Sequence, residues 1–177
     1  MQHDPPEFQA QALLGALTEH GVDFVVVGGL AAMVHGSSYP SYDLDITYAR
    51  DQANLERLAE VLRELRATLR GAPADSPFQV DAESLRAGAH FTFTTPFGSL
   101  DLLDRPDGSP AYERLRAAAV RTEIEGRSVL VASVDHMIAM KEATGRPHDK
   151  TVAHELRAIS DELRAPEHLG PGPETGA

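Results

Sequence analysis

The sequence contains no cysteine, which excludes a disulfide framework and any metal site built on thiolates. It also has no apolar run of the length needed to cross a bilayer. Its first ten residues, MQHDPPEFQA, have neither the basic nor the apolar stretch of a signal peptide. Together these absences predict a cytoplasmic protein with no membrane partner.

Basic residues are scarce, because 16 Lys and Arg stand against 27 Asp and Glu and give a formal net charge of −11. Nucleic-acid affinity comes largely from Lys and Arg that displace counterions from phosphates, so this balance disfavours tight, non-specific binding to DNA or RNA. It leaves open an RNA substrate that a few basic residues hold locally. It is also the charge of an ordinary acidic protein that stays soluble in the cytoplasm.

The length and composition fit one globular domain. A chain of 177 residues with 42% hydrophobic residues can bury a substantial core. We expect the domain to occupy residues 1–164. From 165 onward the chain is rich in Pro, Gly and Glu, which predicts a disordered tail over 165–177.

Helical and extended patterns are mixed along the chain. Apolar residues at helical spacing predict helices over 7–20, 30–35, 54–69, 133–141 and 149–163. Short apolar or alternating runs predict strands over 24–27, 44–48, 90–95, 99–103, 122–124 and 128–131. The mixture predicts an α/β or α+β fold, in which a short mixed sheet has helices packed on one side.

A pair of aspartates, Asp43 and Asp45, carries the strongest chemical signal. Residues i and i+2 of a strand point to the same face, which places the two carboxylates about 6–7 Å apart. Such a pair repels and raises its own pKa values unless a cation lies between the two groups. A hard divalent cation, Mg²⁺ or Mn²⁺, prefers oxygen ligands of this kind, so the pair predicts a metal site.

Two further features extend this site. Gly28 and Gly29 lie where a buried strand gives way to a helix, and thirteen residues separate them from Asp43. Without side chains they let backbone N–H groups approach phosphates closely, and the helix N-terminus favours negative charge. Asp101 lies on a later strand that could pair beside the first aspartates. Three carboxylates on two neighbouring strands predict a two-metal site for phosphoryl chemistry.

The order VVVGG, then DLDI, then FGSLDLL resembles the nucleotidyltransferase superfamily, which has the DNA polymerase β-like fold. Within it the chain is most similar to small bacterial proteins of the abortive-infection toxin type. These also carry a Lys, an Arg and an Asp on C-terminal helices, which match Lys141, Arg146 and Asp149 in MIAMKEATGRPHDK.

The resemblance implies roles for residues at the phosphate end of the site. Gly28 and Gly29 would contact the nucleotide phosphates, and Ser41 would supply a hydroxyl beside them. Lys141 would neutralise the triphosphate or the leaving pyrophosphate, as a compact ammonium does well. Arg146 would also bind nucleotide, or would pair with Asp149 across a helix junction.

The same resemblance assigns the carboxylates. Asp43 and Asp45 would bind Mg²⁺ or Mn²⁺, and Asp101 would be a third ligand or the base for the acceptor. The reaction implied is metal-dependent transfer of a nucleoside monophosphate from a nucleoside triphosphate, such as ATP, to a hydroxyl. The acceptor stays open among tRNA, a partner protein and a small molecule, and a cognate toxin or antitoxin partner is one possibility.

Tyr39 departs from the family pattern and supports an alternative. Relatives carry an Arg near this position, before the aspartate pair, and the chain has lost that cation. This favours a second hypothesis, a weakly active or inactive nucleotide-binding module of the antitoxin or sensor type. The intact Asp43, Asp45 and Asp101 favour the enzyme.

Overall fold

Residues 6–73 and 76–165 form a mixed α/β structure of seven helices and seven strands, described by a computed structural model. The helices are α1 (Ala10–Glu19), α2 (Gly28–Val34), α3 (Gln52–Glu64), α4 (Ala82–Ala87), α5 (Tyr112–Ala117), α6 (Val134–Ala143) and α7 (Pro147–Arg164). The strands are β1 (Phe24–Val27), β2 (Asp43–Tyr48), β3 (Thr68–Leu69), β4 (His90–Thr95), β5 (Gly98–Leu103), β6 (Val120–Ile124) and β7 (Arg127–Val131). Apart from its first residue, the predicted disordered tail at 165–177 lies outside the described residues.

All seven strands join one sheet in the order β3-β4-β5-β2-β1-β7-β6. The pairs β2/β5 and β1/β7 are parallel, whereas the other neighbours are antiparallel. The sheet is therefore mixed, as the sequence predicts. Strand β2 lies between β5 and β1, and β1 leads directly into α2.

The central strands β2 and β5 have one apolar face and one polar face. Leu44 and Ile46 on β2 are fully buried, as are Leu100 and Leu102 on β5. Because side chains alternate along a strand, the aspartates between these residues point to the opposite face, where they are partly exposed. The apolar alternation thus fixes which face of the sheet carries the carboxylates.

Helices α1 and α3 supply much of the apolar packing. Helix α1 packs against β2, β7 and α3. Six leucines of these two helices are fully buried: Leu13, Leu14, Leu17, Leu55, Leu58 and Leu62. Burying a leucine side chain contributes about 1.5–3 kcal/mol relative to leaving it exposed, so this layer is a major stabiliser of the sheet.

The predicted helix over 54–69 is wrong at its C-terminal end. Helix α3 ends at Glu64, and Arg66 adopts the left-handed conformation with φ of 51°. The N–H of Ala67 then bonds the carbonyl of Leu62, the closing bond of a Schellman motif. Leu69 instead belongs to the edge strand β3, which pairs with β4. The sequence pattern continued at helical spacing, and the turn that stops the helix uses an arginine where glycine is the usual signal.

Two short helices, α4 and α5, were not predicted from the sequence. Each has six residues and buries a single leucine, Leu85 or Leu115, which is too little periodicity to identify a helix. No helix among the described residues combines the length and the apolar composition that a membrane span requires.

Candidate active site

The three aspartates singled out by the sequence meet on the polar face of the sheet. Asp43 and Asp45 lie on β2, and Asp101 lies on β5 directly opposite Asp45 in the parallel register. Each residue offers a carboxylate oxygen, and these oxygens lie within 4.8 Å of one another. The parallel pairing of β2 with β5 thus brings together residues that are far apart in sequence.

This convergence is electrostatically costly without a cation. Burial, followed by the charges of Asp43 and Asp101, raises the pKa of Asp45 to about 7, although Lys141 and the backbone N–H of Gly29 oppose the shift. Burial also raises the pKa of Asp101, and Asp43 adds to that rise while Arg70 opposes it. A set of crowded carboxylate oxygens matches the ligands that Mg²⁺ and Mn²⁺ prefer, so the residues present fit such a metal.

Gly28 is in close contact with the central carboxylate. It begins α2 immediately after β1 and has a φ of +68°. A Cβ at this position would stand 1.9 Å from Oδ2 of Asp45. Both the left-handed backbone and the lack of space therefore require glycine here.

Gly29 and Ser41 form a second close approach beside the triad. A Cβ on Gly29 would lie 2.7 Å from Oγ of Ser41. The Ser41 hydroxyl is in turn 3.2 Å from both the backbone oxygen and Oδ1 of Asp43, to which it can donate. In this structure Ser41 thus orients Asp43, a contact that the sequence did not predict.

Lys141 is held in place by a buried carboxylate. Its Nζ lies 2.8 Å from Oδ1 of Asp149, and the hydroxyl of Thr144 donates to Oδ2 at 2.7 Å. These bonds outweigh burial and keep the pKa of Asp149 below its ordinary value. Asp149 therefore pairs with Lys141, and the alternative pairing with Arg146 is wrong. Arg146 is the exposed residue that precedes α7.

A cavity of about 320 Å³ joins these groups. Asp45 and Asp101 line it together with Gly28, and the cations Lys141 and Arg146 line it as well. Its apolar lining includes Leu103, Pro106, Met137 and Met140. Carboxylates and cations around one cavity are suited to a polyanion bound through a metal, since each part of the ligand finds opposite charge.

The loop before β2 is fastened to α7. Glu155 accepts hydrogen bonds from the Ser37 hydroxyl at 2.7 Å and from the Ser38 N–H at 2.9 Å. The ring of Tyr39 meets that of His148 edge-on, with centroids 4.8 Å apart. Tyr39 thus contacts an aromatic side chain of α7.

Arg70 is the charged neighbour of the triad that the sequence did not reveal. Its Nη2 lies 2.7 Å from Oδ1 of Asp101. The residue follows β3, a strand of two residues inside what the periodicity had predicted as a helix. A correct identification of β3 and its pairing with β4 would have been needed to find it.

The sequence matches no protein-family model and no curated protein. Solved structures are similar to it. The lincomycin-bound lincosamide antibiotic adenylyltransferase LnuA aligns with a TM-score of 0.59 at 11% identity, covering 86% of this chain and 99% of that chain. The antibiotic-resistance factor ANT(2'')-Ia aligns with a TM-score of 0.51 at 15% identity, covering 86% of this chain and 87% of that chain.

A nucleotidyltransferase-like protein from Paracoccidioides brasiliensis aligns with a TM-score of 0.54 at 17% identity, covering 86% of this chain and 73% of that chain. Identities this low carry information about the fold alone. LnuA is described as an adenylyltransferase and the Paracoccidioides protein as nucleotidyltransferase-like, and each alignment covers 86% of this chain. The chain therefore has the nucleotidyltransferase fold.

Proposed function

We propose that the protein transfers a nucleoside monophosphate from a nucleoside triphosphate to an acceptor hydroxyl. The observation that carries the proposal is the convergence of Asp43, Asp45 and Asp101 within 4.8 Å beside the Gly28 turn. Phosphoryl transfer needs alignment and charge neutralisation more than covalent chemistry from the protein. The site has carboxylates that can hold a metal and a cation that can neutralise phosphate charge.

The phosphate end of the substrate would lie between the glycine turn and the cations. Gly28 lines the same cavity as Lys141 and Arg146, so a phosphate group bound there would lie between the glycine turn and the two cations. Lys141 is pre-oriented by Asp149. In this arrangement Lys141 neutralises the charge that develops on the leaving pyrophosphate.

The acceptor end would lie at Asp101. In the transfer, the acceptor oxygen forms a bond to the α-phosphorus, the bond from that phosphorus to the bridging oxygen breaks, and pyrophosphate leaves. The hydroxyl proton passes to the Asp101 carboxylate. A divalent metal held by Asp43 and Asp45, with the Asp101 base beside it, would supply charge stabilisation to the transferring phosphate.

We propose a small molecule as the acceptor. LnuA is described as an antibiotic adenylyltransferase bound to lincomycin, and ANT(2'')-Ia is described in complex with adenylyl-2''-tobramycin. ATP is accordingly the first donor to test. The net charge of −11 also disfavours a large RNA, whose binding depends on Lys and Arg. The labelling experiment described next distinguishes a small-molecule acceptor from a tRNA or protein acceptor, which would suit a toxin–antitoxin role.

The test uses each nucleoside triphosphate labelled at the α-phosphate, with Mg²⁺ and a cell extract divided into RNA, protein and small molecules. We expect a new labelled small molecule, separated by chromatography from the triphosphate and its hydrolysis products, with wild type and none with Asp45→Asn. Label in RNA or protein would overturn the acceptor assignment but keep the transfer reaction.

A measurement of triphosphate binding distinguishes the enzyme from the alternative, a nucleotide-binding module without transfer activity. If wild type binds the triphosphate yet labels every fraction as weakly as Asp45→Asn, the enzyme proposal fails and the nucleotide-binding module is supported. The loss of a cation at Tyr39 is the feature that favours this outcome, so Tyr39→Arg belongs in the same assay. Restored transfer in Tyr39→Arg would show that the rest of the site can catalyse nucleotide transfer and that residue 39 limits its rate.

A further inference from the structure

A row of residues crosses the sheet on the face that carries the carboxylates. Asp45 lies opposite Asp101, and Asp101 lies opposite Thr92 on β4. The backbone N–H of Arg70 bonds the carbonyl of Thr92 at 2.8 Å, which extends the row to the segment after β3. Directly opposed residues in a sheet share a face, so the row aims Arg70 at the triad.

The arginine side chain completes this approach. Its Nη2 is 2.7 Å from Oδ1 of Asp101 and 3.4 Å from the carbonyl of Phe93. The Asp101 side chain is only 15% exposed, whereas that of Arg70 is 42% exposed. An ion pair that faces solvent on one side contributes little to stability, so the main effect of this contact is on the charge and orientation of Asp101.

We propose that Arg70 is the positioning residue of Asp101. It holds Oδ1 through a charge-assisted hydrogen bond and leaves Oδ2 for the acceptor hydroxyl, and it offsets part of the triad's negative charge before metal binds. The catalytic part of this role rests on the proposed function. In this role Arg70 contacts neither the substrate nor the metal, and it acts only through Asp101.

The proposal predicts opposite effects on metal binding and on turnover. Without the guanidinium the three carboxylates present more negative charge, so a divalent cation binds more tightly. The freed Asp101 side chain can leave the productive orientation, and misplacement on the scale of 1 Å costs on the order of 100-fold in rate. A purely structural residue would instead weaken both properties together with thermal stability.

The test compares Arg70→Gln with Arg127→Gln, which breaks an ion pair to Glu19 of similar length, 2.9 Å, whose arginine is similarly exposed. Mn²⁺ affinity is measured by calorimetry on the full chain, and kcat and KM by α-labelled nucleotide transfer. We expect Arg70→Gln to bind Mn²⁺ several-fold more tightly and to lose on the order of 100-fold in kcat with KM for the triphosphate nearly unchanged. Arg70→Lys keeps the charge but not the planar fork, so wild-type Mn²⁺ affinity and partial recovery of kcat are expected.

Two results overturn the proposal. Mn²⁺ affinity in Arg70→Gln that is equal to or weaker than in Arg127→Gln removes the charge-offset role. A kcat no lower than that of Arg127→Gln removes the positioning role. If wild type binds Mn²⁺ but transfers no nucleotide, the proposed function fails by itself, and the Mn²⁺ comparison still decides whether Arg70 counterbalances Asp101.

Discussion

Gly28 and Asp45 are so close that a single methyl group on the glycine would stand 1.9 Å from the carboxylate oxygen Oδ2. The turn that opens α2 and the carboxylate at the centre of the triad are therefore one packed unit. This contact ties the predicted phosphate-binding glycine to the predicted metal ligand through space, although sixteen residues separate them in the sequence.

We expect Gly28→Ala to lose transfer activity and to lower stability by more than the backbone conformation alone explains. A non-glycine residue at a φ of +68° costs on the order of 1–3 kcal/mol, and the Cβ must also displace Asp45. Gly21→Ala is the matched control, because Gly21 has a φ of +67° and a Cβ added there would meet no atom within 4 Å. Equal losses of stability and activity in the two variants, measured by denaturant unfolding and nucleotide transfer, would show that the close approach has no role.

The raised pKa of Asp45 makes metal-free stability depend on pH. The folded protein holds this proton more tightly than the unfolded chain, because the pKa moves from 3.8 to about 7 on folding. The resulting stabilisation is complete below about pH 3.8 and is lost as the pH rises through about 7. Relative to wild type, Asp45→Asn should therefore gain stability between pH 5 and pH 8 in the presence of EDTA. Urea unfolding of both proteins measures this difference, and parallel pH profiles would contradict it.

Added Mg²⁺ or Mn²⁺ should stabilise the folded chain through the triad. A ligand at 100 times its Kd contributes about 2.7 kcal/mol by mass action, so the melting temperature rises with metal concentration. Asp43→Asn should lose most of this response. Asp161→Asn, which removes an exposed carboxylate of α7, should keep it. A response that is the same in both variants would place the metal elsewhere.

The ion pairs that join α6 to α7 include Lys141 with Asp149 and Glu142 with Arg157. Asp149→Asn should raise KM for the triphosphate, since Lys141 loses its anchor, and should destabilise the fold because the pair is largely buried. Glu142→Gln breaks the exposed pair between Glu142 and Arg157, which also joins α6 to α7. That variant should change both quantities little. A normal KM in Asp149→Asn would show that Lys141 needs no orientation.

The central strands and the triad could be predicted from sequence because the signals are local. Alternation fixes the common face of Asp43 and Asp45, and the apolar run of β1 ends at Gly28. The pairing of Asp101 with Asp45 required only one further assumption, that β5 lies beside β2. The sequence therefore located the carboxylates well.

The contacts that orient these carboxylates could not be predicted, since they depend on distant pairings. Arg70 reaches Asp101 only because Arg66 adopts a left-handed conformation, ends α3 early and starts β3 at the sheet edge. The partner of Lys141 depends on how α6 packs against α7, which periodicity does not specify. Tertiary packing therefore decides that Asp149 pairs with Lys141 and not with Arg146.

The most direct test of the central claim measures the two products of nucleotidyl transfer together. Wild type with ATP, Mg²⁺ and a small-molecule hydroxyl acceptor found by the labelling assay should release pyrophosphate and form α-labelled product in equal amounts. Asp45→Asn and Asp101→Asn should fold and yield neither product. Release of inorganic phosphate from the γ-position without α-labelled product, or equal product from wild type and both variants, would contradict the account.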